Sequence, residues 1–472
     1  MNYEEASRYL LTLGRELAAP RQPAPASGSG AGGATAQKFD LENISALAKY
    51  LGAPERACPC VHIAGTNGKG STAAMLESVL RAAGFATGLY TSPHLERINE
   101  RIQVSGEPLE DEEFAASFTR VAQAIETLMA AGTLRAHPTY FECLTAMAFE
   151  AFARRPVDFA VYEVGMGGRL DATNIVAPEA AVITAIDFDH ENYLGHSIEQ
   201  IAGEKAGIIK PGAWVVSAAG RAEARGVITR RAAELDGRLV DIDEQYRIEN
   251  VRSEGGYYGA TIRPQHSKRG LEIELPIAGR FQLRNAATVI ATARLLRERG
   301  FPIGDEHLRE GIRKVRWPGR LERIGANPAV YLDGSHNPAG AQELQKFWQE
   351  HFSQSRIILV YGAMRDKAVD EIAGLLFPQA ATVILTEPRQ PRAISADVLA
   401  QMTQHLASQF EVVADPDAAL ERAIELAGPG DAVFASGSLY LVGDLRHRLR
   451  NRSGSFTTDD QQVAAGDTVR FV

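Results

Sequence analysis

Seven residues, Gly65-Thr66-Asn67-Gly68-Lys69-Gly70-Ser71, carry the clearest chemistry in the chain. Glycines at these positions let backbone N–H groups close around phosphate oxygens, and Lys69 adds a positive charge. A buried strand, Val61-His62-Ile63-Ala64, feeds the loop, and Ser71 opens an amphipathic helix to about Ala83. Strand, loop and helix in that order predict a phosphate loop and a bound nucleoside triphosphate. The spacing departs from G-x-x-x-x-G-K-[ST], because Gly70 separates Lys69 from the hydroxyl of Ser71.

Three further residues could complete a metal or phosphate site. Phe159–Val164 reads as a strand with Glu163 near its end, followed by Gly165-Met166-Gly167-Gly168-Arg169-Leu170-Asp171. Ligands of open α/β sheets sit beyond the carboxyl ends of strands, so Glu163 is placed to reach the phosphates as a magnesium ligand. The competing reading is a buried carboxylate paired with an arginine such as Arg169, and the metal role is favoured because an unpaired carboxylate in an apolar strand is costly. Ala181–Ile186 ends in Asp187-Phe188-Asp189-His190, which brings the His190 imidazole to the same sheet edge. Ser197–Lys210 puts Glu204 and Lys205 on a helix flanked by Ile201, Ala202, Ala206 and Ile208. Lys205 is either a solvated surface cation or a partly buried amine with a depressed pKa that is open to chemical modification.

The elements that must carry these residues alternate between strand and helix. Strand-like runs at Ala86–Tyr90, Phe159–Val164 and Ala181–Ile186 are separated by helical periodicity near Glu110–Ala131 and Phe141–Arg154. That alternation predicts an α/β fold with a parallel sheet covered by helices. A short helix near Tyr3 to Leu17 precedes a Pro/Gly/Ser/Ala-rich loop at 19–36, and Gly237 to Pro276 reads as an appended β meander. Trp317-Pro318-Gly319 punctuates the chain. The expected organisation is an ATP-binding domain over 1–316, a smaller α/β domain over 317–450 with strands near Ala329–Leu332, Ile357–Tyr361, Thr382–Leu385 and Ala432–Ala435, and a tail over 451–472.

Composition narrows the partners. A chain of 472 residues with 45% hydrophobic content can bury a substantial core, and a formal charge of −9 leaves no basic footprint for nucleic acid. Three cysteines, Cys58, Cys60 and Cys143, make no disulfide framework and suit a reducing cytoplasm; Cys58-Pro-Cys60 lacks zinc or redox spacing. No signal peptide and no run of 18 apolar residues occurs, so no membrane is expected as partner.

The segments GTNGKGS, TSPHLERINERI, TYFECLTAMAF, YEVGMGGRLDATN, DFDHENYLG, GEKAGIIKPG, RWPGRLE, YLDGSHNPAG and ASGSLYLVGD stand in the order seen in the folylpolyglutamate synthase and dihydrofolate synthase family, a branch of the Mur ligases. The resemblance spans about Phe39 to Arg448, and Gly70 belongs to the family pattern. It implies a P-loop NTPase-like domain, a Rossmann-like C-terminal domain and ATP-dependent amide formation. A substrate carboxylate would attack the γ-phosphate to give an acyl phosphate, which the amine of L-glutamate then attacks. The acceptors implied are dihydropteroate and the glutamate tail of reduced folates, in a cytoplasmic enzyme read as a monomer.

Residue by residue, the resemblance implies that Lys69 and the Gly65–Ser71 backbone hold ATP, with Asn285 beside the nucleotide. Ser92 and Glu163 would bind a first Mg2+ ion. His190, Glu163 and a carbamylated Lys205 would bind a second. Arg320, Asp333 and His336 would complete the ATP site from the smaller domain, although Asp333 and Asn337 could instead cap a helix beginning near Pro338, and Arg320 could pair with Glu322. The pteroate group is expected near Phe39, Asp40 and Leu41, near Thr139 and Phe141, and near Arg169 and Asp171. Phe141 could equally pack its helix onto the sheet. A peptidoglycan-building Mur ligase is disfavoured, because the 64 residues before Gly65 leave no room for a UDP-binding domain. A kinase or GTPase would need neither Lys205 nor DGSHNP, and a purely regulatory nucleotide binder would need fewer buried charges.

Overall fold

The computed structural model of the chain describes residues 1–13, 40–325, 328–407 and 409–451. Eight strands form the larger sheet: β1 (Cys60–Ala64), β2 (Thr87–Tyr90), β3 (Ile102–Val104), β4 (Glu107–Pro108), β5 (Phe159–Glu163), β6 (Ala180–Ile183), β7 (Trp214–Ser217) and β8 (Arg238–Asp241). Their order is β4-β3-β2-β5-β1-β6-β7-β8, all running in one direction except β3, which pairs antiparallel with both β2 and β4. Every residue of β1, β5 and β6 is buried. Central parallel strands are covered on both faces, which is why they read as unbroken apolar runs.

One face of this sheet packs against the helices Lys69–Ala82, Gln282–Glu298 and Asp305–Lys314, and the other against Asp111–Ala130 and Tyr140–Arg154. Strands β2 and β5 lie on one side of β1, and β6 to β8 on the other. Sheet growth therefore reverses beside β1, which opens a crevice beyond its carboxyl end. Ile63 of β1 is level with Glu163 of β5 and Val182 of β6, so the phosphate loop, Glu163 and the Asp187–His190 segment leave the sheet side by side.

The expected meander is an antiparallel sheet of β9 (Tyr246–Glu254), β10 (Tyr257–Pro264) and β11 (Leu271–Leu275). Its expected start is corrected: residues 238–241 are β8, the parallel edge of the large sheet. An edge strand with one solvated face alternates as a meander strand does, so periodicity could not separate them. The helix after the phosphate loop begins at Lys69, not Ser71, because Gly68 takes φ +85° as its N-cap and turns the chain two residues earlier. The first helix is Tyr3–Thr12. Residues 14–17, expected to continue it, lie outside the described residues, as do the 19–36 loop and the tail from 452.

The second sheet holds β12 (Glu322–Ile324), β13 (Ala329–Leu332), β14 (Ile357–Tyr361), β15 (Thr382–Leu385), β16 (Phe410–Val412) and β17 (Ala432–Ser436) in the order β12-β13-β17-β14-β15-β16, parallel except for β12. Helices Pro338–His351 and Leu439–Asn451 contribute buried side chains to its two core layers. No described helix is long and apolar enough to cross a membrane.

Candidate active site

The phosphate loop is shaped by close approaches. A Cβ on Gly68 would stand 2.6 Å from the Asn285 side-chain oxygen, and a Cβ on Gly70 would stand 2.7 Å from the Trp317 ring. Gly70 is thus the one residue type that lets the indole of the WPG segment lie against the loop. Asn285 is buried and donates to Gln282 at 2.8 Å, which in turn reaches Ser71 Oγ at 3.4 Å.

Two lysines converge on one backbone oxygen. Lys69 Nζ donates to the Gly65 carbonyl at 3.0 Å and to the Thr66 carbonyl at 3.2 Å, while Lys205 Nζ donates to the same Gly65 carbonyl at 2.8 Å. Lys205 lies on the helix Ile198–Ala206, capped by Ser197, and only 3% of it is exposed. Burial, and then the neighbouring Lys69 charge, push its pKa down to about 7. The reading of Lys205 as a solvated surface cation is excluded by this geometry. Elsewhere along the same crevice, the carboxylate of Glu163, 3% exposed, accepts from the Ser92 backbone N–H at 3.1 Å. Arg169 is not its partner, since that guanidinium pairs with Glu204 at 2.9 Å.

Asp189, one residue before His190, is the hub of the crevice. Its carboxylate accepts from Lys367 Nζ at 2.9 Å and from Asn337 Nδ2 at 3.1 Å, and lies 3.8 Å from both His190 and His336. Lys367 holds Asp189 well below the usual carboxylate range despite burial. Burial and the Lys367 charge lower His190 to about 3 and His336 to about 4, so both imidazoles are neutral near pH 7. Asn67 of the phosphate loop and Asn337 exchange side-chain amide hydrogen bonds at 2.9 and 3.1 Å across the two bodies. Arg320 donates to the Gly319 carbonyl at 3.0 Å; its alternative partner Glu322 is taken by Arg446. Asp333 accepts from the backbone of Leu321 and Ser335 at 3.0 Å, and Asn337 does cap the helix Pro338–His351. These side chains therefore have structural duties whatever else they do.

A cavity of about 690 Å³ gathers Gly65–Ser71, Ser92, Glu163, His190 and Lys205 from one body with Arg320, Asp333, His336 and Lys367 from the other; Asn285 also lines it. The residues expected around the pteroate group are not brought into it. Phe39 lies outside the described residues. Asp40 accepts from Glu42 N at 2.9 Å, and Leu41 is the N-cap residue of the helix Glu42–Tyr50. Thr139 caps the helix Tyr140–Arg154, and Phe141 packs beneath Gly165, where a Cβ would meet its ring at 2.6 Å. Asp171 accepts from the amides of Gly165, Met166 and Thr173 at 3.0 Å, which fixes the glycine-rich turn after Glu163. Among the described residues no group of three or more His, Cys, Asp or Glu side chains is clustered to hold a metal ion. Sequence reasoning missed Asp189 as the hub, although it stands inside DFDH, and missed Lys367, for which no local pattern signalled burial.

A phosphate loop with a carboxylate and two lysines on one α/β body, met by arginine, histidine and lysine from a second, defines a nucleotide-dependent enzyme whose site is assembled between domains. Residues 63–293 match the Mur ligase middle domain, and residues 319–439 match the Mur ligase glutamate ligase domain. The chain is 38% identical to a Bacillus subtilis dihydrofolate synthase/folylpolyglutamate synthase, over 88% of this chain and 95% of that one. Among solved structures, a Mycobacterium tuberculosis folylpolyglutamate synthase complexed with ADP and AMPPCP superposes with TM-score 0.82 at 33% identity, covering 89% of this chain and 97% of that one. Escherichia coli FolC in complex with DHPP and ADP superposes with TM-score 0.80 at 28% identity, covering 95% and 98%. The chain belongs to the dihydrofolate synthase/folylpolyglutamate synthase family of Mur ligases.

Proposed function

We propose that the enzyme uses ATP to join L-glutamate to dihydropteroate, giving dihydrofolate, and to the glutamate tail of reduced folates. The observation that carries this reading is the assembly of Lys69, Glu163 and Lys205 with Arg320 and His336 in one cavity between the two bodies. An acceptor carboxylate oxygen attacks the γ-phosphorus, and the bond to the β-phosphate oxygen breaks to release ADP. The amine nitrogen of L-glutamate then attacks the acyl carbon, phosphate leaves, and a proton is lost from the nitrogen. Charge on the transferring phosphoryl group has to be neutralised, which is the work assigned to Lys69, Arg320 and the phosphate-loop amides.

Magnesium suits this donor set. A hard cation carried in on phosphates keeps phosphate and water ligands and needs one or two protein carboxylates, so Glu163 with Ser92 fits a first ion and His190 with Glu163 a second. His190 is neutral, as a ligand must be, and Lys205, half deprotonated near pH 7, supplies the free amine that carbon dioxide requires to form a carbamate. When bound, the ions add positive charge at the bridging and transferring oxygens. Asn285, Asp333 and His336 are assigned to the nucleotide. The pteroate assignment to Phe39, Asp40, Leu41, Thr139, Phe141, Arg169 and Asp171 rests on resemblance. We place the domain boundary at Trp317, between the two sheets, and the enzyme in the cytoplasm as a monomer, to be checked by sedimentation.

The test offers purified protein with magnesium ATP and L-glutamate either dihydropteroate or tetrahydrofolate, and follows ADP release. Turnover with both supports the full reading. Turnover with tetrahydrofolate alone reduces it to a folylpolyglutamate synthase, and silence with both overturns it.

A further inference from the structure

The segment that follows Ser92 leaves the larger body and docks on the smaller one. Glu100 holds its turn by accepting from the backbone N–H groups of Leu95, Glu96 and Arg97 at 2.7, 3.0 and 2.8 Å. The turn projects Leu95 against the second body's core layer that includes Leu332, Val442 and Leu445. Its carbonyl lies so near the helix Leu439–Asn451 that a Cβ on Gly443 would stand 2.1 Å from the Leu95 oxygen. Backbone-to-backbone contact of this kind fixes the turn's position on the helix to within a fraction of an ångström.

The next residue is ion-paired across the seam. Arg446 Nη1 meets Glu96 Oε1 at 2.5 Å, while its Nε reaches both oxygens of Glu322 at 3.0 and 2.9 Å. Arg446 is 6% exposed, Glu322 4% and Glu96 13%. Glu322 also accepts from the Gly319 backbone at 2.9 Å. Arg446 thus touches a carboxylate four residues beyond Ser92 and another two residues beyond Arg320, and both Ser92 and Arg320 line the cavity.

We propose that Leu95, Glu96 and Arg446 form a latch that sets Ser92 and Arg320 against each other when the two bodies close, with Glu96 and Arg446 as positioning residues. This rests on the roles given above to Ser92 and Arg320. The charge balance makes the latch reversible. Arg446 keeps Glu322 within the smaller body when the seam parts, so no lone buried guanidinium is left, and Glu96 returns to water. Removing the Glu96 charge therefore weakens closure without unpairing Arg446.

The experiment compares full-length enzyme with Glu96→Gln and Leu95→Ala, reading kcat, the KM for L-glutamate, ADP affinity without acceptor, the thermal midpoint, and the radius of gyration by solution scattering with the non-hydrolysable analogue AMPPCP. Glu96→Gln is expected to keep ADP affinity within about twofold and the thermal midpoint nearly unchanged, while kcat falls about tenfold and the AMPPCP-bound particle is more expanded. Leu95→Ala should shift the same quantities in the same direction. Wild-type kcat and wild-type compactness in Glu96→Gln would overturn the latch, as would an equal loss of ADP affinity. The scattering arm needs no turnover, so failure of the glutamate-ligase reading, seen as silence of the wild type with every acceptor, is distinguishable from failure of the latch.

Discussion

The two bodies meet along two seams of opposite character. On one, Tyr257 and Ala278 share a buried apolar cluster with Leu321, Phe347 and Trp348 of the smaller body, and a Cβ on Gly256 would stand 2.7 Å from the Phe347 ring. On the other, the contacts are mainly polar, Asn67 with Asn337, Asp189 with Lys367, and Glu96 with Arg446, with Leu95 adding an apolar contact beside the last pair. Parting the apolar seam exposes hydrocarbon to water at full cost, whereas polar partners exchange one hydrogen bond for another at small net cost. This contrast predicts that the apolar seam acts as the hinge side and the polar seam as the side that opens, and the cavity lies along the polar one.

The contrast can be broken experimentally, and the largest effect belongs on the polar side. Lys205→Ala should lower the ligation rate about a thousandfold, and added short carboxylic acids should partly restore it by supplying the missing carboxylate. A fully active Lys205→Ala enzyme, followed by ADP release, would remove the carbamate. On the hinge side, Phe347→Ala should cost about 3–5 kcal/mol of stability through the cavity it leaves, read as a lower denaturant midpoint, while kcat changes little at temperatures where the protein is folded. Equal loss of kcat and stability would dissolve the distinction between the seams.

The smallest effect is a pH dependence. The pKa of Lys205 is depressed from 10.5 to about 7, so its neutral fraction rises from about a tenth at pH 6 to about nine tenths at pH 8. Carbamate formation, followed by 13C NMR with labelled bicarbonate, should increase over that range and vanish in Lys205→Ala. Because the unfolded chain retains the lysine proton up to 10.5, this group's contribution makes the protein more stable as pH rises from about 7 towards 10.5. A carbamate signal that does not change between pH 6 and 8 would contradict the depressed pKa.

Much of the larger body was legible because its signals are local. A buried strand, a glycine turn and a helix are contiguous from Cys60 to Ala82, and apolar runs such as Phe159–Glu163 report burial on both faces. The strands of the smaller body were equally readable at Ile357–Tyr361 and Thr382–Leu385. Edge strands are not legible in this way: the pattern of β8 cannot be told from that of the meander, and β16, with two of its three residues exposed, offers no apolar run to read. The site residues expected around the pteroate group show the limit of motif reasoning from another direction, since Thr139, Phe141 and Asp171 each have a local cap or packing duty that a sequence pattern cannot tell from substrate contact.

The sequence by itself determined the phosphate loop, the α/β alternation and the residue types that nucleotide chemistry needs, because each depends on neighbours within about twenty positions. Tertiary structure decided what those residues are. It made Lys205 a buried amine at the Gly65 carbonyl and Asp189 the partner of Lys367, 178 residues away, and it joined Glu96 to Arg446 across 350. It also explained Gly70, whose missing side chain makes room for Trp317. Burial and charge pairing are properties of what surrounds a side chain, and for these residues the surroundings come from distant parts of the chain.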